Sequence, residues 1–458
     1  MSAIPEPPWA GVVAAEAPVL SIGQRLQRMV LRPDRPLFAL FQSVGTQALI
    51  TLINILTGVI TARMLGPEGR GTFAAVSTWP QFFATLAMAG LNSAVVYHMK
   101  KTPQQGGAIA GSALILCLVS SGLAVAVGVV LVPHLMLQYP PAAIVFAQAC
   151  LFSVLINSTQ VLIKQSFAGA GQFARCNLAN FLPQLLYLVA LLLVCVVTPM
   201  TAENAVLALL GSGVVALLAA LPGYVRWVRP RFTGSLRGLP RLLSYSARAW
   251  PIDGVFTIAT YTDRLVLIPL LAPRDLGLYA VAFSFSRIVL LTQPAILSVM
   301  FSHLSGCSAS QRARIHDHAL RFLLIALLGG SAVLWLLGAT LLSRAYGHEF
   351  VAANGIFRLL IIEASLSILS QVTAQLFLAD DRPGCVSLIQ IAVLGSSFVL
   401  LLALVPHYGA VGAALALAIA GLLRWMLFMG AARLVLHAPL PRLYLVPDDL
   451  RYLKGLLK

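Results

Sequence analysis

"LGPEGRGTFAAV" at residues 65–76 and "LAPRDLGLYAVA" at 271–282 carry the same punctuation, Leu-x-Pro-x-x-x-Gly and then a small apolar run, at an offset of 206 residues. A chain rich in Gly and Ala can produce one such coincidence by chance. A second pair follows: "FAGAGQFARCN" (167–177) stands opposite "FLADDRPGCVS" (377–387) at an offset of 210. Both pairs hold the same place in the order of apolar segments, so duplication is the simpler explanation.

The segments between these motifs say what was duplicated. Of 458 residues, 59% are hydrophobic and only 10% charged, and the mean hydropathy is +0.89. That leaves too little polar surface to cover a soluble domain. Apolar runs of about 20 residues recur between residues 39 and 432, each long enough to cross a hydrocarbon core as a helix, whereas the alternating ten-residue segments of a barrel are missing. The reading is an all-α polytopic membrane protein with about twelve transmembrane helices. Cutting at "RWVRPRFTGSLRGLPR" (226–241) leaves two six-helix lobes, 39–225 and 246–432, joined by a basic linker (226–245). A basic segment (1–38) precedes them and a tail (433–458) follows. Because each half has an even number of spans, the copies run parallel, related by an axis along the membrane normal around a central cavity. Gly71 and Gly277 fall at matching sites, where a glycine either turns the backbone or lets it pack closely.

Charge orients this plan. With the N-terminus inside, most Lys and Arg fall on the inner side, and the outer side keeps only Arg63, Arg70, Arg274, Arg344 and Arg358. The positive-inside rule therefore selects both termini inside. The net charge of +16 then finds its partner in anionic lipid of the inner leaflet, with no call for nucleic acid. "RLQRMVLRPDR" (25–35) reads as an amphipathic turn on that leaflet or as a solvated tail.

Polar side chains at helical spacing mark faces that avoid lipid. Span 4 carries Ser153, Asn157, Gln160 and Lys164, and the repeat offset lands on Glu363, Ser367 and Ser370 of span 10. Span 7 carries Asp253, Thr257, Thr260 and Arg264, whose counterparts in span 1 are Gln47, Thr51, Asn54 and Gly58. A lipid-facing charge costs about 2.5–3.5 kcal/mol, so these stripes are expected to face one another across a cavity lined by spans 1, 4, 7 and 10. Each hydroxyl or amide also has the alternative of a helix-to-helix hydrogen bond. For Asp253, Asp263, Arg264, Arg287 and Glu363 the alternative is an internal ion pair, and Lys164 and Arg63, near span ends, can also snorkel.

Catalytic and metal signatures are wanting. There is no Walker loop, HExxH or GxSxG, and His316 and His318 lie on opposite sides of a helix. Six cysteines are scattered without a CxxC pair, which supports neither disulfides nor zinc and leaves them reduced. The opening apolar stretch, "WAGVVAAEAPVL", is short and interrupted by Glu16, unlike a cleavable signal. A non-enzymatic membrane protein is expected.

With "TARMLGPEGRGTFAAV" after span 1, "TDRLVLIPLLAPRDLGLYAVA" around spans 7 and 8, and "HYGAVGAALALAIAG" entering span 12, the chain resembles the polysaccharide transporter and O-antigen flippase branch of the multidrug/oligosaccharidyl-lipid/polysaccharide exporter superfamily. The resemblance covers most of residues 39–435. It implies movement of undecaprenyl-diphosphate-linked sugars across the bacterial inner membrane by alternating access, with basic cavity residues on the anionic headgroup. Arg63, Lys164, Arg264 and Arg287 match that role. It implies no cofactor beyond a coupling proton or Na+, for which Asp253, Asp263 and Glu363 are placed, and partners in polysaccharide polymerase or export machinery. Rival readings are a cation-coupled multidrug antiporter of the same fold, which a basic cavity disfavours, and a membrane glycosyltransferase or polymerase, which the short external loops disfavour. A lipid II flippase works similarly but carries two further spans.

Overall fold

The computed structural model describes residues 36–232, 235–293, 296–297, 300, 304 and 309–437. The basic segment at 25–35, the tail beyond residue 437, Cys307 and the far end of span 8 lie outside the described residues. The other five cysteines are free thiols.

Among the described residues the chain is helical throughout, as lipid demands: without water, backbone groups are satisfied only inside a helix or a closed barrel. The helices are α1 (Pro36–Ala87), α2 (Leu91–Lys101), α3 (Gly106–Leu135), α4 (Pro141–Cys150), α5 (Ser153–Gly169), α6 (Phe173–Val197) and α7 (Ala202–Trp227). The second half comprises α8 (Ser235–Leu270), α9 (Pro273–Ser286), α10 (Ala309–Tyr346), α11 (Asn354–Ala379) and α12 (Pro383–Val435). Among the described residues eight helical stretches are long and apolar enough to cross a membrane, and two of them, Gly45–Ala87 and Pro383–Val435, have the length for two crossings each. α1 bends at Gly66 (φ 64°) and α12 at Gly409 (φ 57°), left-handed values that glycine adopts freely. Other boundaries have local causes. Pro141, Pro273 and Pro383 open α4, α9 and α12, where a missing N–H costs nothing. The Thr201 hydroxyl accepts the Asn204 amide at the start of α7.

The second repeated motif folds the same way in both copies. The N–H of Gln172 donates to Phe167 O and that of Arg382 to Phe377 O, each at 2.8 Å. Gly171 (φ 73°) and Asp381 (φ 56°) hold the same left-handed position, and Phe167 and Phe377 are both buried.

The first motif joins the halves. A Cβ placed on Gly71 would lie 1.7 Å from the Pro273 carbonyl oxygen, and one on Gly277 1.8 Å from that of Pro67. Neither glycine has a positive φ, so both serve close packing and not turning. The end of the bundle where they meet is termed the turn side. Gln138, in the α3–α4 connection, donates to Pro269 O at 3.2 Å on the same side.

Toward the opposite end, α1 breaks off at residue 87 and resumes as α2 after Gly90 (φ 74°), which lies against the Ser246 carbonyl and the Trp250 amide of α8. The Asp253 carboxylate accepts the Gly90 N–H at 2.9 Å and the Ser93 hydroxyl at 3.2 Å, so a residue of the second half caps a helix of the first.

Candidate functional site

Between the two glycine contacts lies a cavity of about 560 Å³, within the range of ligand sites. Its wall comes from seven spans, because α1 contributes both sides of its bend and α5–α9 complete the ring. Asn54, Asn157, Gln160 and Arg264 of the expected stripes line it. Span 10 does not. The expectation of a wall from spans 1, 4, 7 and 10 is therefore corrected: α11 turns its polar face into its own half, where Glu363 is engaged.

Among the described residues two cations line the cavity, Arg70 and Arg264, and no Asp, Glu, Lys or His does. Arg70 is the residue that periodicity missed. Its place in "LGPEGRG" reads as an outer loop, but the bend at Gly66 begins the next span at once, so Arg70 already sits in the first turn of a helix that faces inward. The Arg70 guanidinium lies 5.1 Å from the Phe73 ring centroid, and that of Arg264 5.9 and 5.7 Å from Tyr261 and Phe283. Aromatic faces hold a guanidinium without using its N–H donors. Among the described residues neither arginine makes an ion pair or a side-chain hydrogen bond, and Arg70 Nε is buried with no partner.

The remaining candidate cations are placed elsewhere. Arg63 donates from Nε to Ala345 O at 2.7 Å and from Nη2 to Arg344 O, and so caps the C-terminal end of α10 outside the cavity. Lys164, one turn beyond Gln160, is not in the wall. Arg287 pairs with Glu363 at 2.7 Å, and Arg424 approaches the other Glu363 oxygen at 3.6 Å. With the carboxylate between two guanidiniums, none of the three charges is left wholly uncompensated within the bundle.

This trio lines another, smaller cavity of about 180 Å³ in the carboxy-terminal half, together with Thr260, Asp263, Gln390 and Ser397. Asp263 accepts the Tyr279 hydroxyl at 3.0 Å. Phe283 belongs to both cavities and contacts Arg264 on one and Arg287, at 4.0 Å, on the other.

Five other stripe residues are occupied by backbone carbonyls three or four residues earlier in the chain. Thr51 and Thr257 donate to Gln47 O and Asp253 O, Thr260 to Phe256 O, Ser370 to Leu366 O and Ser153 to Cys150 O. Ser367 is buried and the Gln47 side chain is exposed, both away from the central cavity. Among the described residues no three His, Cys, Asp or Glu gather as metal ligands would.

A family profile described as "Polysaccharide biosynthesis protein" matches residues 40–305. No curated protein sequence matches the chain. Among solved structures the fold is similar to the lipid II flippase MurJ in an inward closed conformation (TM-score 0.70, 13% identity over 85% of this chain and 87% of that one). An inward-facing multidrug resistance MATE transporter of the MOP superfamily gives a TM-score of 0.65 at 17% identity, covering 85% of this chain and 95% of its own. A MOP superfamily transporter from Pyrococcus furiosus, reported with a reversed polarity of its binding pocket, gives 0.59 at 16% identity, covering 87% and 94%.

Proposed function

The chain belongs to the polysaccharide biosynthesis protein family, and from that premise we propose that it is a flippase that exports a polyprenyl-diphosphate-linked oligosaccharide by alternating access. One observation carries this reading: among the described residues, two guanidiniums with free N–H donors line a cavity that contains no carboxylate. Fixed positive charge with nothing to balance it is unfavourable in a bundle unless an anion completes it. A diphosphate does so, and the planar guanidinium fork can bond two phosphate oxygens at once. A drug cation would be repelled by the same two groups.

The cycle follows from where contacts close the cavity. The crossed glycines seal the turn side, and the Asp253 cap with the Gly90 contact holds α2 and α8 together at the other end. Alternating access requires these two contact sets to open in turn. The charge distribution supports an orientation with both termini in the cytoplasm of a bacterium and the turn side facing outward across the inner membrane. Arg70 and Arg264 then take the headgroup, while Arg63 and Arg287 hold helices in place. Coupling to a proton or Na+ through Asp253, Asp263 or Glu363 belongs to the same proposal, as does supply of its product to polymerase or export machinery.

Accumulation of lipid-linked oligosaccharide on the cytoplasmic face tests the reading. Cells carrying Arg70→Ala or Arg264→Ala at wild-type protein levels are expected to accumulate it. Normal export by both variants would overturn the cationic-headgroup mechanism.

A further inference from the structure

The wall of the central cavity is not uniform with depth. Taking a rise of 1.5 Å per residue, Arg70 lies about 6 Å past the Gly66 bend and Arg264 about 9 Å from the turn-side end of α8. Below them the chemistry changes. Asn54 stands about 18 Å and Gln81 about 22 Å from Gly66, Asn157 about 24 Å from the start of α4, and Gln184 about 20 Å from the end of α6. Four side-chain amides from four different spans therefore line the same stretch of one cavity, deeper than the two arginines.

These amides are free to bind. Among the described residues the side chains of Asn54, Gln81, Asn157 and Gln184 make no protein hydrogen bond, while Gln160, a turn below Asn157, gives its N–H to Gly213 O and keeps its oxygen. The neighbouring hydroxyls are complementary. Thr57, Ser77, Thr85 and Ser212 each donate to a carbonyl of their own helix, to Ile53, Ala74, Gln81 and Leu209, so what they offer the cavity is acceptor lone pairs. Amides, which both donate and accept, beside hydroxyl oxygens left to accept, match a ring of sugar hydroxyl groups, each of which both gives and receives.

We infer that this amide belt is a glycan subsite separate from the phosphate contacts, and that it takes a neutral sugar next to the diphosphate. The inference rests on the flippase reading above and adds the class of sugar. Among the described residues the belt carries no charge of either sign, and the two cavity arginines are taken up by the diphosphate, so a sugar carboxylate placed in the belt would lose its hydration with no free cation to replace it.

Binding to the purified full-length protein in nanodiscs tests this with three synthetic probes: farnesyl diphosphate, the same carrying glucose, and the same carrying glucuronic acid. The glucose probe is expected to bind at least fivefold tighter than bare farnesyl diphosphate, and the glucuronate probe no tighter than the bare one. Asn157→Ala and Gln184→Ala should each remove most of the glucose advantage and leave bare farnesyl diphosphate within twofold of wild type, which also shows that the variants fold. Equal affinity for glucose and glucuronate probes would overturn the inference, as would variants that weaken bare and glycosylated probes alike. The headgroup assignment fails separately: if Arg70→Ala and Arg264→Ala bind bare farnesyl diphosphate as wild type does while Asn157→Ala still removes the glucose advantage, the glycan subsite stands and the phosphate contacts lie elsewhere. No binding of any probe would overturn both.

Discussion

Gly71 and Gly277, 206 residues apart, pack against each other's turns: each leaves the space of a missing Cβ to the proline carbonyl that opens the other's motif, Pro273 for Gly71 and Pro67 for Gly277. The amide nitrogen of each glycine also lies 2.9 Å from the Cβ position of the other. The contact is reciprocal because the motif is repeated, and it joins the two halves at the turn-side end of the cavity.

A methyl group at either glycine cannot be accommodated without separating the halves, since a Cβ at 1.7–1.8 Å overlaps a backbone oxygen that cannot rotate away. Gly71→Ala and Gly277→Ala are expected to lower export at least tenfold and to raise the reaction of a cysteine at Ser77 with a membrane-impermeant thiol reagent added from the turn side. Unchanged labelling with normal export would mean that the closed contact is not part of the cycle.

For the cavity cations the expected pattern is graded. Arg70→Ala should reduce export by about a hundredfold, and Arg70→Lys should keep a measurable fraction, because a point charge replaces a bidentate fork. Rates in proteoliposomes loaded with lipid-linked oligosaccharide measure this. Equal activity of the Lys and Ala variants would show that charge at this position is irrelevant.

Arg287 is expected to behave as a structural partner and not as a phosphate contact. Arg287→Ala leaves Glu363 with only the longer approach of Arg424 and should destabilise the protein by about 3 kcal/mol. Adding Glu363→Gln should restore much of the loss. Unfolding in detergent for both variants decides the matter: a double variant as unstable as Arg287→Ala alone would contradict the pairing.

Asp253 caps α2 across the halves, so Asp253→Ala should weaken that docking by about 1 kcal/mol and Asp253→Asn by less, since an amide oxygen can still accept the Gly90 N–H. Disulfide trapping between cysteines placed at Ser93 and Gly254 reports the docked population. If trapping is as efficient in Asp253→Ala as in the parent, the cap is incidental.

Much of the architecture was written along the chain, because spans and their turns are local properties. Hydropathy over about 20 residues locates a crossing wherever it sits in the fold, and the repeated motifs keep their spacing whatever they pack against. Helical spacing also placed Asn54, Asn157, Gln160 and Arg264 on polar faces, and all four line the cavity. Which polar face meets which partner is another matter. Glu363 and Arg264 look alike in sequence, charges within apolar helices, yet one is bracketed by Arg287 and Arg424 and the other stands unpaired. Arg63 and Arg70 read alike as outer-side residues, yet one caps α10 and the other faces the cavity, because the bend at Gly66 rotates the chain between them. Periodicity along one helix fixes an angle about that helix's own axis. The neighbour found at that angle depends on contacts between segments hundreds of residues apart, as between Gly71 and Pro273, and these exist only once the halves have packed.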